Sequence, residues 1–229
     1  MLSSSLTQYS DYMKSAKKSS SKDGAAMVTR VGKKIAAATE QYLRNNGLES
    51  EIKNFAWEFN LVNDPQVNAF CMPGGKIVVY EGLMQLVSSD DELAVVVGHE
   101  VAHAVAKHSN ERMSQQLMAQ YGAQILGQAL SNKSAAVQKI GASVYGLGAQ
   151  YGVMLPFSRK HESEADYMGL VFMAMAGYNP AVAVNFWQKM SAGKSGSTPE
   201  FMSTHPSDAT RINEIKQHLP EIEKYRVKK

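Results

Sequence analysis

Between Leu93 and Ala106 the chain carries fourteen residues of which only His99, Glu100 and His103 are polar. A helix that is apolar on every side has to be buried. The rest of the chain must therefore pack around this segment and take the three polar groups in with it. Buried without partners, two imidazoles and a carboxylate would cost roughly several kcal/mol. Positions i and i+4 lie on one helix face, about 40° apart at about 100° per residue. Both imidazoles can therefore reach one metal ion, and an ion would satisfy all three groups. The start of the helix is legible too. Ser89 and Glu92 form an S-x-x-E capping box, with Asp90 and Asp91 in the first turn, where the helix dipole favours negative charge. A helix is expected from Asp90 to about His108.

His99-Glu100-Val101-Ala102-His103 is the H-E-x-x-H pattern of zinc peptidases, in which a carboxylate beside the first ligand can hold a water at the metal. Incidental histidine pairs at this spacing sit on solvated helix faces. This face is not solvated.

Bulk properties bound the reading. At 229 residues the chain suits one domain with a small helical appendage, and its 44% hydrophobic content is that of a globular protein. A net charge of +3 is too small to argue for nucleic acid. The single cysteine, Cys71, excludes an internal disulfide framework and, between Phe70 and Met72, reads as a buried inert thiol. Residues 1–24 are polar and Ser/Lys-rich, with no apolar signal region, and read as a flexible leader. No segment is a convincing membrane span; the best, Ile140 to Ser158, is broken by glycines, Gln150 and Pro156. Ser114 to Ser158 has only Lys133 and Lys139 as charges. It reads as helices buried against the domain, with contact to a membrane surface or an unfolded client as the lesser reading.

Along the chain, Met27 to Asn46 has helical periodicity and Gly47 is a stop. Glu51 to Val62 alternates as a strand. Asn68 to Met72 and Lys76 to Tyr80 flank Pro73-Gly74-Gly75 as a hairpin, and Glu81 to Val87 opens a short helix. Helices are expected over Glu111 to Ala129, Ala135 to Gln150, Arg159 to Ala176, Pro180 to Ala192 and Asp208 to Leu219, with a polar loop from Gly193 to Ser203. A small β unit followed by helices indicates an α+β fold. The domain is expected over residues 25–217, followed by a tail over 218–229.

A catalytic zinc takes three protein ligands and leaves a position for water. Cys71 lies in an apolar strand, and His108 points away around the helix toward solvent. The segment from Ser158 to Asp166 is richer. Glu162 and Asp166 share a helix face, and Glu164 should face solvent. One carboxylate can bind the metal while the other accepts the spare N–H of a ligand imidazole. His161 is the rival ligand in the same segment, and spacing alone leaves the choice open.

H-E-x-x-H followed some sixty residues on by S-R-x-x-E-x-x-A-D resembles the zinc metallopeptidase family of the HtpX and CAAX-prenyl peptidases (M48), most closely its soluble periplasmic BepA and LoiP branch. Asn68 to Gly75, Ile77 to Leu83, and Thr204-His205-Pro206 with Arg211-Ile212 add to the resemblance, which covers residues 25 to 217. It implies a zincin-like (gluzincin) fold, mostly helical, with a three- to four-stranded sheet. It implies one zinc per chain on His99, His103 and Glu162, Glu100 as the catalytic carboxylate, and Asp166 as partner of a ligand histidine. It suggests that His205 lies over the zinc as a fourth ligand or as an oxyanion stabiliser, with Arg211 facing the same cleft as a second candidate to stabilise the oxyanion. The multi-spanning membrane segments of HtpX and the tetratricopeptide domain that follows the peptidase in BepA are not expected in this sequence.

The expected chemistry is peptide hydrolysis in unfolded or misassembled envelope proteins. Asn68, Ala69 and Phe70 would form an edge strand that pairs with an extended substrate. The alternative is a chaperone or assembly factor whose zinc site is latched shut. The resemblance implies a periplasmic or outer-membrane-associated location; with no signal visible, the residues themselves imply either a cytosolic protein or a sequence that starts after a removed signal. Oligomeric state is not legible.

Overall fold

The computed structural model describes residues 2–149, 155–192, 201–202, 205 and 209–227. These fall into two compact units, Met1–Ala106 with Ser163–Lys229, and Lys107–Glu162.

In the first unit the sheet has three strands, β1 (Glu58–Val62), β2 (Ala69–Met72) and β3 (Lys76–Tyr80), in the order β1-β3-β2. The hairpin expected around Pro73-Gly74-Gly75 forms, with Ala69 opposite Val79 and Met72 opposite Lys76. Gly74 and Gly75 both take positive φ, which a side chain would resist. β1 runs parallel to β3. The strand expected from Glu51 is shorter than the pattern suggested. A helical turn, α3 (Glu49–Ile52), takes its first residues and β1 begins only at Glu58. Every residue of β3 is buried, because the sheet is covered on both faces.

Against one face pack α2 (Lys22–Asn45) and α5 (Asp90–Val105), with Val31, Ile35, Ile77, Val79, Leu93 and Val97 in one continuous core. A fully buried Leu, Ile or Val contributes about 1.5–3 kcal/mol, so α5, with eleven buried residues, is the spine of the unit. Its cap forms as the sequence implied. Ser89 accepts from the Glu92 amide at 3.2 Å, and Glu92 Oε2 accepts from the Ser88 amide at 2.7 Å. α5 ends at Val105, and Lys107 takes a left-handed φ of 59° that stops the helix before His108.

The other face carries a second cluster of Tyr9, Val62, Val78 and Tyr80, against which Phe70 and Met72 pack. Tyr9 belongs to α1 (Leu2–Ser15), so the segment expected as a flexible leader is helical. It docks because Tyr9 is buried and its hydroxyl donates to Glu58 at 2.8 Å. A short helix, α4 (Glu81–Met84), precedes α5. Further on lie α8 (Leu155–Met175), which enters this unit at Ser163, then α9 (Val182–Ala192) and α10 (Ala209–Ile222). α10 passes beyond the expected end of the domain, and Ile222 is fully buried. The loop expected over 193–203 lies outside the described residues except for Phe201 and Met202.

The second unit holds α6 (His108–Leu130), α7 (Ala135–Ala149) and the first turns of α8. Two expectations change here. His108 is buried, not solvated, and its ring stacks on His161 at 4.1 Å. Among the described residues, the burial expected of the low-charge stretch fails for seven large apolar side chains. Met118, Tyr121, Ile125, Val137, Ile140, Val144 and Leu147 are all exposed.

Candidate metal centre

The site is built where two helices touch backbone to backbone. A Cβ added at Gly98 would lie 2.8 Å from the Gly169 carbonyl oxygen, and one added at Gly169 would lie 2.8 Å from the His99 amide nitrogen. Only glycine at both positions lets α5 and α8 approach this closely. The residues beside that crossing are His99 on α5 and, three residues before Gly169, Asp166 on α8.

Their side chains meet. His99 Nδ1 lies 2.9 Å from Asp166 Oδ1, both groups buried. An Nδ1–H donated to Asp166 leaves the Nε2 lone pair facing the cluster. Asp166 is held from behind by Arg211 on α10, whose Nη2 donates to Oδ1 at 2.9 Å and whose Nε donates to Oδ2. Burial alone would raise the Asp166 pKa. The Arg211 charge, and hydrogen bonds from Arg211 and His99, outweigh it and hold the carboxyl below its usual range.

His103 Nε2 lies 3.0 Å from His99 Nε2, and His205 Nδ1 lies 3.3 Å from the same atom. With Glu162, one helical turn before Asp166 on α8, each of these residues offers a ligand atom, and all four atoms lie within 4.8 Å of one another. Three imidazole nitrogens and a carboxylate oxygen are the donor set that zinc takes, so the residues fit the ion. Glu100 is buried beside them, and its Oε1 is 3.5 Å from His205 Nε2. The His205 ring thus faces a ligand histidine with one nitrogen and Glu100 with the other.

His161, the rival ligand, is engaged elsewhere, with its Nε2 2.8 Å from Glu111 Oε2. Glu164 is exposed. Burial, and after it the charge of Glu100, push the Cys71 thiol up, which suits an inert group.

The chain belongs to Peptidase family M48. The family model matches residues 29–219. Mitochondrial metalloendopeptidase OMA1 of Schizosaccharomyces pombe is 36% identical over 205 residues, 86% of this chain and 53% of that protein. The protein of the same name from Arabidopsis thaliana is 40% identical over 168 residues, 73% of this chain and 33% of that protein. The beta-barrel assembly-enhancing protease of Escherichia coli is 27% identical over 172 residues, 72% of this chain and 35% of that protein. The chain therefore spans between a third and about half of these relatives. The family expected from the motifs is shown. The narrower placement in a periplasmic branch is not, because relatives named as mitochondrial match at higher identity than the E. coli protein. Among the described residues no helix is long and apolar enough to cross a membrane.

The geometry relocates two expected roles. Arg211 does not open toward the cleft. Two of its nitrogens serve Asp166, the third donates to the His205 carbonyl at 3.3 Å, and its guanidinium lies over Trp187. These contacts turn its guanidinium toward Asp166. β2 is an edge strand, but Phe70 faces inward. Tyr80 donates its amide to the Asn68 carbonyl at 3.1 Å. By antiparallel alternation the Phe70 amide then bonds β3, while the backbone groups of Ala69 and Cys71 aim at the open edge. The Ala69 amide there is 2.9 Å from the Asn68 side-chain oxygen.

Four residues at the site had no part in the sequence reading. Gly98 and Gly169 each interrupt a helix interior, which signals close backbone approach. Trp187 lies 5.4 Å from the His99 ring, and Phe201 stacks between Trp187 and His205, at 5.7 and 4.6 Å. Nothing in their local sequence marks either aromatic.

Proposed function

We propose that this chain is a zinc-dependent endopeptidase acting on unfolded or misassembled protein. His99, His103 and Glu162 would hold one zinc, and Glu100 would be the catalytic carboxylate. The observation that carries the reading is the convergence of those three ligand atoms, with His205, inside 4.8 Å beside a buried Glu100. Bound zinc supplies Lewis acidity toward a carbonyl oxygen and a place for the attacking water. Glu100 takes the proton of that water and returns it to the leaving amine. Asp166, braced by Arg211, fixes the tautomer and direction of His99. An extended substrate would pair along the open edge of β2 at Ala69 and Cys71, where main-chain bonds give affinity with little side-chain preference. That lack of preference suits unfolded chains as substrates.

A second reading is favoured by His205, whose ring lies between His99 and Glu100. In that arrangement the site is latched, and the chain works as an assembly factor until the ring withdraws. Envelope quality control is the setting we propose for either reading; the relatives' names speak only of mitochondria and of beta-barrel assembly.

The test is casein cleavage by wild type and by Glu100→Gln, each loaded with zinc and assayed for metal content. The proposal expects one zinc per chain in both and cleavage by wild type only. Equal cleavage by the two proteins would overturn it. No cleavage by either moves the weight to the latched reading.

A further inference from the structure

We infer that the α6–α7 hairpin is a docking surface for an anionic lipid membrane. The hairpin is built inside out. α6 and α7 are joined by residues 131–134, and the Tyr145 hydroxyl donates to the Ala119 carbonyl at 3.2 Å. Their facing sides line a cavity of about 750 Å³, where Gln116, Gln120 and Gln138 sit among alanines and glycines, with Leu126, Leu130 and Tyr145 as its larger side chains. Seven other large apolar side chains point the other way. Met118, Tyr121 and Ile125 recur at i, i+3 and i+7 on α6, and Val137, Ile140, Val144 and Leu147 at i, i+3, i+7 and i+10 on α7. At about 100° per residue each set forms one stripe, on the side of its helix opposite the cavity-lining residues. All seven are between 45% and 73% exposed.

In water this arrangement is backwards, since a soluble helix pair buries its large apolar residues between the helices. An inner side made mostly of small residues and amides, with more of the bulky apolar groups outside than in, follows the pattern of helix pairs in lipid. Neither helix can cross a membrane, so the hairpin would lie in the interface with its stripes among the acyl chains.

Charge decides which surface. From residue 112 to the end of α7 the hairpin holds Arg112, Lys133 and Lys139 and no Asp or Glu, its one acidic residue being Glu111 in the first turn of α6. Such a basic, acid-free segment attracts negatively charged headgroups and repels a second copy of itself.

The experiment is flotation of the full chain with vesicles of phosphatidylcholine alone and of phosphatidylcholine mixed with phosphatidylglycerol. Wild type is expected to float with the mixed vesicles, weakly with phosphatidylcholine alone, and less as salt is raised. Ile125→Glu combined with Val144→Glu places charge in the stripes at already exposed positions. It should cut partitioning about tenfold or more with an unchanged circular dichroism spectrum. Lys133→Glu with Lys139→Glu should remove the preference for phosphatidylglycerol. Wild type that floats with neither vesicle overturns the inference, as does stripe-variant protein that floats like wild type. A wild-type dimer that the stripe variant dissociates, without flotation, assigns the face to self-association and overturns it too. Flotation reads binding, so its failure is separate from any failure of peptidase activity.

Discussion

His99 Nδ1 and Asp166 Oδ1 stand 2.9 Å apart although 67 residues separate them in the chain. This bond sets which nitrogen of His99 faces the metal cluster. Asp166→Asn should weaken zinc binding by about 10–100-fold, measured by competition with a chromogenic chelator. It should also lower the melting temperature, because Arg211 loses its buried counter-charge. Unchanged zinc affinity would mean that the imidazole is oriented by other contacts.

The glycine pair makes the His99–Asp166 bond reachable. Gly169→Ala should destabilise the protein by about 1–3 kcal/mol, since its Cβ meets backbone that cannot rotate aside. Zinc affinity should fall with it as α5 and α8 separate. Thermal unfolding and zinc titration of one preparation check both. A variant as stable as wild type would show that the helices have slack at this crossing.

His205 reaches His99 with one nitrogen and Glu100 with the other. We expect His205→Ala to keep one zinc per chain, since three ligands remain, and to raise casein cleavage several-fold by opening the site. A fall in kcat at constant zinc content would instead assign the ring to the carbonyl oxygen of the substrate.

Asp90 accepts two 2.7 Å hydrogen bonds from Arg30. Those bonds lower its pKa from 3.8 against the opposing effect of burial. A depressed carboxylate pKa stabilises the fold fully above the unfolded value, and the contribution is lost as pH falls through the folded value. The melting temperature should therefore drop on acidification below about pH 4. Asp90→Asn should lower it slightly at neutral pH and flatten part of the acid limb. An acid limb identical to wild type would show that the pair contributes nothing.

Features that depend on local spacing are legible in the residues alone. The α5 cap at Ser89, the hairpin around Gly74 and Gly75, and the i, i+4 placement of His99 and His103 are each written within a few residues. Burial of α5 followed from its composition, because fourteen residues with three polar groups have no stable place in water. Tertiary structure decided what depends on approach between distant segments. The choice between His161 and Glu162 turned on where each side chain of α8 ends up. His161 was drawn to Glu111 and His108, and Glu162 joined the imidazoles. Arg211 became a brace for Asp166 because α10 lays its guanidinium beside that carboxylate. The low-charge stretch looked like core material, since apolar content predicts burial. Seven of its large side chains nevertheless lie on the outer faces of a helix pair whose inner faces are mostly small residues and amides. Composition records how much apolar surface a segment carries; only the packing decides whether that surface is covered by the chain itself.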